Sequence, residues 1–449
     1  MTSSAKTLLK VLVQQRQWRY ADFVRAYERT ATQVFKGSSQ PGTRNLTVSE
    51  PQFRRWTAGK VATLPSAEAC QVLKHMFGIE AAGLFGPPPS AALDRSADAP
   101  TAYDLESEIA MTARDAADEA GAAAAQSLSD TTLDQLRDDV TSLARRYGSL
   151  PAFDVFRQAK LLREQAEHLR DRTQVPAQQQ DLLIIAGQAC SLLSSAAFDL
   201  GSLDGAVRLA RSAALYGETA RFDPLRAYAT GSLAICAYFT SRPADAVRLV
   251  RTAQSFGGLG DVARGRLLAI EARAYGHLGD QDRAGRTLLA STDQHSGLRD
   301  ELHDDTAGEF GFSEERLLMS NGNTCLLLQD GPGAETAARR ALELVSSRPP
   351  ARRSASVRGK AAADLATAQL LRQDLDGAAA TLETVWAVPR EKRVAGLLER
   401  TGNLRTVLSA AAFRGSQLAA DLGEQIEEFG RLSPPRQLGT GGGPLALEA

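Results

Sequence analysis

The phrase FDLGSLDGAVRLA, residues 198–210, contains the pattern that decides the fold class. An apolar helical segment ends there at a short Gly/Ser/Asp turn, and a second helical segment begins with small residues. Similar phrases follow at residues 239–250, 277–289, 326–338 and 370–382. When the five phrases are aligned with one another, a small residue lies at the start of each second helix, at Ala206, Ala246, Ala284, Ala334 and Ala378. The spacings between these alanines are 40, 38, 50 and 44 residues. Small residues allow paired helices to approach closely, so the pattern predicts stacked helix pairs.

The region after residue 103 is predicted to be helical throughout. It contains no sustained period-2 alternation and no run of β-branched residues. The paired phrases resemble tetratricopeptide repeats, with spacings looser than the usual length of about 34 residues. Such pairs bury a shared core and wind into a superhelix with a concave face.

Composition divides the chain into four predicted regions. Residues 1–86 form a compact helical domain, and residues 87–102, rich in Pro, Ser, Ala and charges without apolar periodicity, form a linker. The repeat domain extends over residues 103–432, where the segments before the first clear repeat cap the array. Residues 433–449 are predicted to be a disordered tail.

The charge distribution is more informative than the net charge of −1. Residues 1–86 contain 12 Lys and Arg against 5 Asp and Glu, a balance of +7. The remainder contains 40 against 48, a balance of −8. A basic N-terminal block on an acidic body is the pattern expected of a nucleic-acid-binding module joined to a partner-facing domain.

The basic block contains a short helix specified at both ends, TVSEPQFRRWTAGK, residues 47–60. Ser49 is a good N-cap, and Gln52 three residues later completes a capping box. Gly59 supplies a left-handed stop. At about 100° per residue, Phe53 and Trp56 point to one side as a packing face, whereas the arginines at 54 and 55 point to the other.

This N-terminal block resembles the lambda-repressor-like (XRE-type) helix-turn-helix. The recognition helix of that family commonly combines a serine, an apolar residue, a tryptophan and a glycine at the spacing of Ser49, Phe53, Trp56 and Gly59. A further helix is predicted to begin at the Pro65/Ser66 boundary and to end at Gly78, and residues 65–86 resemble the closing helices of the same family. The remaining chain resembles actinobacterial regulators that join this module to tetratricopeptide-like repeats. The resemblance implies an all-α fold, in which a small helix-turn-helix domain is followed by an α-solenoid of tetratricopeptide-like helix pairs.

The resemblance also implies double-stranded DNA as a partner and a homodimer, and the cysteine usage and the lack of a predicted signal peptide or membrane span indicate a cytoplasmic location. Arg54 and Arg55 would enter the major groove, where Arg pairs with guanine, and Gln52 would read adenine. Glu50 would accept from cytosine or complement the helix dipole. The flanking residues suited to phosphates are Arg44, Thr47 and Lys60. The alternative is an ordinary amphipathic helix with solvated arginines.

Two departures from the family favour a second hypothesis. The segment WRYADFVRAYERTA lacks the glutamine usual in the second helix, and a long insertion, about residues 31–46, separates it from the recognition helix. The leading hypothesis is a sequence-specific DNA-binding transcriptional regulator. The alternative is a non-enzymatic repeat-based adaptor with a degenerate DNA-binding domain.

Catalytic and cofactor sites are not predicted. The five histidines form no HExxH or HxH spacing, no phosphate-binding glycine loop follows a strand, and no nucleophile elbow occurs. We therefore expect no catalytic residue, no metal and no cofactor. The segment DQHSGLRDELHDD, residues 293–305, gathers two histidines and several carboxylates, but its composition predicts an exposed inter-repeat loop.

Membrane and secretory segments are not predicted either. The longest uncharged run, residues 182–198, is shorter than the ~20 residues that span a bilayer, and it contains Gln188, so a buried helix is expected. The N-terminus is too polar for a signal peptide. Four widely spaced cysteines indicate a reduced compartment and buried thiols.

In related receptors the concave repeat surface binds a small peptide, whose backbone is clamped by asparagines. The resemblance therefore implies a peptide, small-molecule or protein effector here. The candidate ligand-binding residues are Asn321, Asn323, Tyr228, Tyr238 and Tyr275. The alternative is that these side chains fill polar positions between helices.

Overall fold

The structure is a computed structural model that describes residues 7–35, 47–61, 63–88, 102–125, 127–294 and 296–435. All regular elements in these residues are helices, which confirms the all-α prediction. The chain divides into two compact units, Met1–Ala117 and Asp118–Ala449, and each is considered by itself. The long helix α6 (Ala102–Ala125) crosses the division.

The first unit is built from five short helices around an aromatic core. The helices are α1 (Leu8–Gln15), α2 (Tyr20–Val34), α3 (Glu50–Thr57), α4 (Ala67–Phe77) and α5 (Ala81–Phe85). Phe23, Tyr27 and Trp56 are at most 4% exposed at the centre of this core. Their side chains are large enough to fill the space between helices of only one to four turns.

Hydroxyl caps fix the starts of three of these helices, as the sequence predicts for two of them. Thr7, Ser49 and Ser66 accept hydrogen bonds from the backbone N–H groups of Lys10, Gln52 and Ala69, respectively. The predicted end of α4 is also correct, because Gly78 adopts a left-handed conformation with φ of 67°.

The second unit is a series of antiparallel helix pairs. It opens with α7 (Asp130–Arg146) and α8 (Ala152–Arg170). Five pairs follow: α9 (Pro176–Asp199) with α10 (Leu203–Thr219), α11 (Asp223–Phe239) with α12 (Pro243–Gln254), α13 (Asp261–Leu278) with α14 (Gln281–Thr292), α15 (Glu314–Leu327) with α16 (Gly331–Ser347), and α17 (Ala355–Leu371) with α18 (Leu375–Trp386). The helices α19 (Ala395–Leu408) and α20 (Gln417–Arg431) close the array. Sequential packing of this kind is that of an α-solenoid.

The predicted alignment of five alanines is confirmed by burial. The side chains of Ala206, Ala246, Ala284, Ala334 and Ala378 are all 0% exposed. Five residues before each alanine, the backbone turns through a left-handed residue with φ between 57° and 88°, at Gly201, Ser241, Gly279, Gln329 and Gln373. This shared turn reverses the chain within two or three residues, so each second helix packs directly against the first.

The spacing of 50 residues arises from an insertion between α14 and α15. It includes a π-helical turn, Glu301–Thr306, and two fully buried apolar residues, Leu302 and Phe310. The N–H of Glu309 donates to the carbonyl of Ala144 at 2.8 Å, so the insertion is hydrogen-bonded to the end of α7.

The prediction of an exposed loop at 293–305 is therefore wrong for its second half. Asp300 and His303 are 7% and 2% exposed. The Asp300 carboxylate is the N-cap of the π-turn, where it accepts from the backbone N–H groups of Leu302 and His303 and contacts the His303 ring. Polar composition misled the prediction because these polar groups satisfy each other and the backbone inside the fold.

The apolar run at 182–198 lies in α9, which is the one described helix long and apolar enough to cross a membrane. In its most apolar window 72% of the residues are buried among neighbouring helices, as in the core helix of a soluble protein. The predicted buried helix is thus confirmed. Cys190, Cys236 and Cys325 are buried free thiols, and Cys70 is half-buried.

Candidate functional site

Helix α3 is anchored through the face predicted to pack. Trp56 is 4% exposed, and its ring lies 6.3 Å from Tyr27 and 5.9 Å from Phe85 between centroids. Phe53 is half-buried, with its ring 4.9 Å from that of Phe23. The aromatic contacts come from α2 and α5, so α3 is held from two sides.

Two hydrogen bonds fix the ends of α3 to other helices. The hydroxyl of Tyr20 donates to the carbonyl of Val48 at 2.9 Å, and the hydroxyl of Thr7 donates to the carbonyl of Thr57 at 3.3 Å. The Ser49 half of the predicted capping box is present, with the Gln52 N–H donating to Ser49 Oγ at 3.4 Å. The helix position is therefore set by both core packing and polar contacts.

The opposite face of α3 is exposed. Glu50, Arg54 and Arg55 are exposed, and Gln52 is half-buried. Arg54 forms an ion pair with Glu50 at 2.5 Å, whereas Arg55 forms no ion pair with any described residue. An exposed pair contributes at most about 1 kcal/mol, so Arg54 can exchange Glu50 for another anion at little cost.

The predicted flanking contacts divide into three cases. Thr47 is exposed, and its hydroxyl donates to the Glu28 carboxylate at 2.7 Å. Lys60 is exposed just after the left-handed Gly59, whose φ is 70°. Arg44 lies outside the described residues.

The start of α2 has an acidic cap. The backbone N–H of Arg19 donates to Asp22 Oδ2 at 3.0 Å, and Arg25 donates to Oδ1 of the same carboxylate at 2.6 Å. Together these bonds hold the pKa of Asp22 below its usual value. An ionised carboxylate therefore occupies the end of α2 where a helix otherwise attracts an external anion.

A cavity of about 1010 Å³ lies within the second unit. Its wall consists mainly of residues from the first helices of successive pairs, α9, α11, α13, α15 and α17, together with α19 and the 293–313 insertion. Of the sequence-predicted ligand residues, Tyr228 and Tyr238 line this cavity. Tyr228 is 1% exposed and lies against Phe310 of the insertion, with 5.1 Å between ring centroids.

The other three predicted ligand residues occupy positions between helices. Asn321 donates to Ser291 Oγ at 3.3 Å, and Asn323 donates to Asp364 Oδ1 at 3.0 Å. The hydroxyl of Tyr275 accepts a hydrogen bond from Arg251 at 2.7 Å. None of the three is among the described residues that line the cavity, and their contacts match the alternative of interhelical polar positions.

Charged residues on the cavity wall were missed by sequence reasoning. Arg266 and Arg273 of α13, Arg316 of α15, Lys360 of α17 and Arg400 of α19 all line the cavity. A signal existed, because Arg266 and Arg273 are seven residues apart in a helix and therefore share a face. The signal is weaker in the other helices, because α15 contains a single cation, whereas α17 and α19 contain two each.

Four of these five cations face a carboxylate. Arg316 lies 3.3 Å from Glu309, Lys360 4.0 Å from Asp199, Arg400 2.9 Å from Asp364 and Arg273 3.8 Å from Glu399, each distance joining a nitrogen and an oxygen.

Burial is the largest influence on the acid–base groups of this wall. Burial lowers the pKa of Lys360, and it raises the pKa of both Asp199 and Asp364. The attraction between Lys360 and Asp199 opposes both of their shifts, but desolvation outweighs it. The wall is therefore a desolvated environment in which an uncompensated charge is costly.

Arg266 is the exception among the five. It is 4% exposed, and its guanidinium donates to the Tyr228 carbonyl at 3.3 Å and to Ser232 Oγ at 3.1 Å. No described carboxylate lies within ion-pair distance of it. The absence of a side chain at Gly231 makes room for it, because a Cβ there would lie 2.7 Å from Arg266 Nη1. Burial lowers the pKa of Arg266.

No family model matches the chain, and no curated protein shows significant similarity to it.

Proposed function

We propose that the chain is a cytoplasmic, sequence-specific DNA-binding transcriptional regulator of the XRE type. In this proposal α3 is the recognition helix, and the repeat unit binds an effector and pairs two chains. The observation that carries the proposal is the division of α3 into two faces. Trp56 fixes one face in the core, while Arg54 and Arg55 are exposed on the other.

A fixed helix with two exposed arginines suits the chemistry of the major groove. Arg pairs bidentately with guanine, and precise helix placement is needed because base edges are read at hydrogen-bond distance. The balance of +7 in residues 1–86 supports the proposal, since phosphate contacts supply much of the affinity for DNA.

Pairing of two chains is assigned to the repeat unit. A single helix-turn-helix makes a small interface, and specificity is commonly obtained from two half-sites about one helical turn apart. Large apolar side chains are exposed in the second unit at Phe153, Leu161, Leu215 and Leu289, each between 56% and 65%. They would provide apolar area for self-association.

The test is a mobility-shift titration of the full chain onto DNA from upstream of its own gene, repeated over a series of salt concentrations. We expect the logarithm of the affinity to fall steeply and linearly with the logarithm of salt concentration, because phosphate contacts release counterions. Unrelated DNA of the same length is the control, and it should bind more weakly at every salt concentration.

A second candidate function is supported by the acidic cap of α2. Asp22 occupies the end of the helix where a phosphate would otherwise bind, and this favours a protein partner over DNA. On this hypothesis the chain is a non-enzymatic adaptor. If the folded full chain binds neither the upstream DNA nor the unrelated control DNA, at low or high salt, the adaptor is supported and the regulator is excluded.

A further inference from the structure

The starting observation is the buried, unpaired guanidinium of Arg266. An ionised group removed from water costs several kcal/mol unless it is paired and hydrogen-bonded. Arg266 is 4% exposed, and its described partners are a carbonyl, a serine hydroxyl and the face of the Tyr228 ring. These partners carry no negative charge, so the charge of Arg266 has no ion-pair partner among the described residues.

Two further donors at the same wall have no hydrogen-bond partner. They are Nη2 of Arg400 and Nε of Arg273. Arg400 is 3% and Arg273 7% exposed, and both residues line the cavity. Unpaired buried donors are rare in folded proteins because each one costs about 1–3 kcal/mol. Glu399 Oε2, 3.8 Å from Arg273 Nη2, is likewise without a hydrogen bond, so these groups form an incompletely paired polar cluster at the cavity wall.

The whole lining is positive, although the repeat region is acidic. Eleven Arg and Lys residues and four carboxylates line the cavity, a balance of +7. Asp364, Glu399 and Asp305, which pair with Arg400, Arg273 and Arg299 from outside the lining, reduce the balance to +4. Residues 87–449 together carry −8. A positive cleft with a low-dielectric wall concentrates anions relative to the rest of the surface.

The uncharged part of the lining combines eight serines with apolar and aromatic side chains. Phe198, Ile235, Phe239, Ile270 and Met319 lie along the same cavity as the cations. The volume of about 1010 Å³ is at the upper end of the range for sites that enclose small organic ligands. Inorganic anions are much smaller and would leave this apolar surface without a partner.

We propose that the cavity binds a small organic anion with an aromatic or alicyclic body. Its acidic group, a carboxylate, sulfonate or phosphate, pairs with the buried guanidinium of Arg266. Its apolar body packs against the aromatic lining. The inference names the ligand class of the effector site in the proposed regulator, and in this respect it rests on the proposed function.

The test compares two fluorescent probes that differ in charge. 1-Anilinonaphthalene-8-sulfonate carries a sulfonate, and N-phenyl-1-naphthylamine has the same ring system without it. Each is titrated onto the full chain at fixed pH and salt concentration. We expect the sulfonate probe to bind roughly ten- to hundredfold more tightly, the range expected for charge-assisted hydrogen bonds. Equal affinities, or tighter binding of the neutral probe, would overturn the proposal without any variant.

Variants then locate the site. Arg266→Gln should lower the affinity for the sulfonate probe by roughly tenfold or more and leave that for the neutral probe unchanged. Arg266→Lys keeps the charge and should retain part of the preference. The control is Arg208→Gln, which removes an arginine whose side chain is 76% exposed on α10. An Arg266→Gln protein that keeps its helical circular dichroism and its full preference for the sulfonate would refute the assignment.

The probe experiment contains no DNA, so its outcome is separate from that of the proposed function. Selective anion binding without DNA binding would leave the cavity proposal intact and exclude the regulator. DNA binding without selective anion binding would support the regulator and overturn the cavity proposal.

Discussion

The guanidinium carbon of Arg266 lies 4.1 Å from the centre of the Tyr228 ring. The two residues belong to α13 and α11, the first helices of adjacent pairs, and both are buried. A cation over a desolvated aromatic ring gains about 2 kcal/mol, which offsets part of the cost of burying the charge. The stacking also fixes the guanidinium at the cavity wall.

Alkaline pH is expected to unfold the protein through its buried tyrosines. Burial raises the pKa of Tyr228 and of Tyr27 to about 12, and it also raises the pKa of Tyr147 and Tyr238. Tyrosine ionises near pH 10 in an unfolded chain, so stability is complete below about pH 10 and is lost as the pH rises toward 12.

Tyrosinate absorbance and helical circular dichroism, recorded together, would check this. The tyrosinate signal of the buried tyrosines should appear only as the helical signal is lost. Tyr228→Phe should move the unfolding transition to higher pH. Ionisation of all 8 tyrosines near pH 10 with the helical signal intact would contradict it.

The two arginines of α3 are expected to contribute directly to recognition of DNA. Arg54→Ala and Arg55→Ala should each weaken specific binding by about 1–3 kcal/mol while the fold is retained. The effect of Arg54→Ala should be the smaller, because Arg54 must first leave Glu50. Titration onto the specific site at one salt concentration measures both, with Arg208→Ala as the control. Unchanged affinity for DNA in both variants would mean that α3 is not part of the surface that recognises DNA.

Trp56 is expected to stabilise the first unit. Trp56→Ala should cost about 3–5 kcal/mol, because it leaves a cavity among Tyr27 and Phe85. Hydrogen exchange of the amides in α1–α5, followed by mass spectrometry, measures the opening of this unit without interference from the repeats. Gln52→Ala, a change at a half-buried position, should leave exchange nearly unaltered. Similar exchange in the two variants would mean that the packing and exposed faces of α3 are reversed.

The full chain is expected to be a dimer that recognises a roughly palindromic site. The fragment 1–90 should be monomeric and should bind DNA weakly and with little sequence preference, because it lacks the repeat unit. Light scattering and titration onto the same DNA at one salt concentration compare the two. If the fragment equals the full chain in affinity and specificity, the repeats contribute nothing to recognition through dimerisation.

Replacement of Gln373 by glycine is expected to stabilise the repeat unit. Gln373 adopts a left-handed conformation with φ of 62° at the turn between α17 and α18. This conformation costs a side-chain-bearing residue about 1 kcal/mol, whereas glycine adopts it freely. Gln373→Gly should therefore raise the free energy of unfolding in urea by about 0.5–1 kcal/mol. Gln373→Ala keeps the steric cost and should give no gain, and an equal gain from both variants would contradict the explanation.

Helices, turns and caps that depend on residues close together in the chain could be predicted from the sequence. The turn phrases located the helix pairs, and the five aligned alanines are all fully buried, because close approach of two helices requires a small residue at that position. The caps of α3 and α4 were also correct, since a hydroxyl cap acts within three residues of itself. The packing face of α3, with Trp56 in the core, followed from helical periodicity alone.

Which residues from separate repeats line the same cavity could not be predicted from the sequence, because it depends on how the helices stack in the folded protein. Arg266, Arg316 and Arg400 are separated by 50 and 84 residues in sequence, and they meet because the first helices stack side by side. The 293–313 insertion was mistaken in part for an exposed loop because the Asp300 cap and the hydrogen bond from the Glu309 N–H to the Ala144 carbonyl exist only after folding. Composition shows that such residues are polar. Whether their polar groups are solvated or are hydrogen-bonded inside the protein depends on long-range packing.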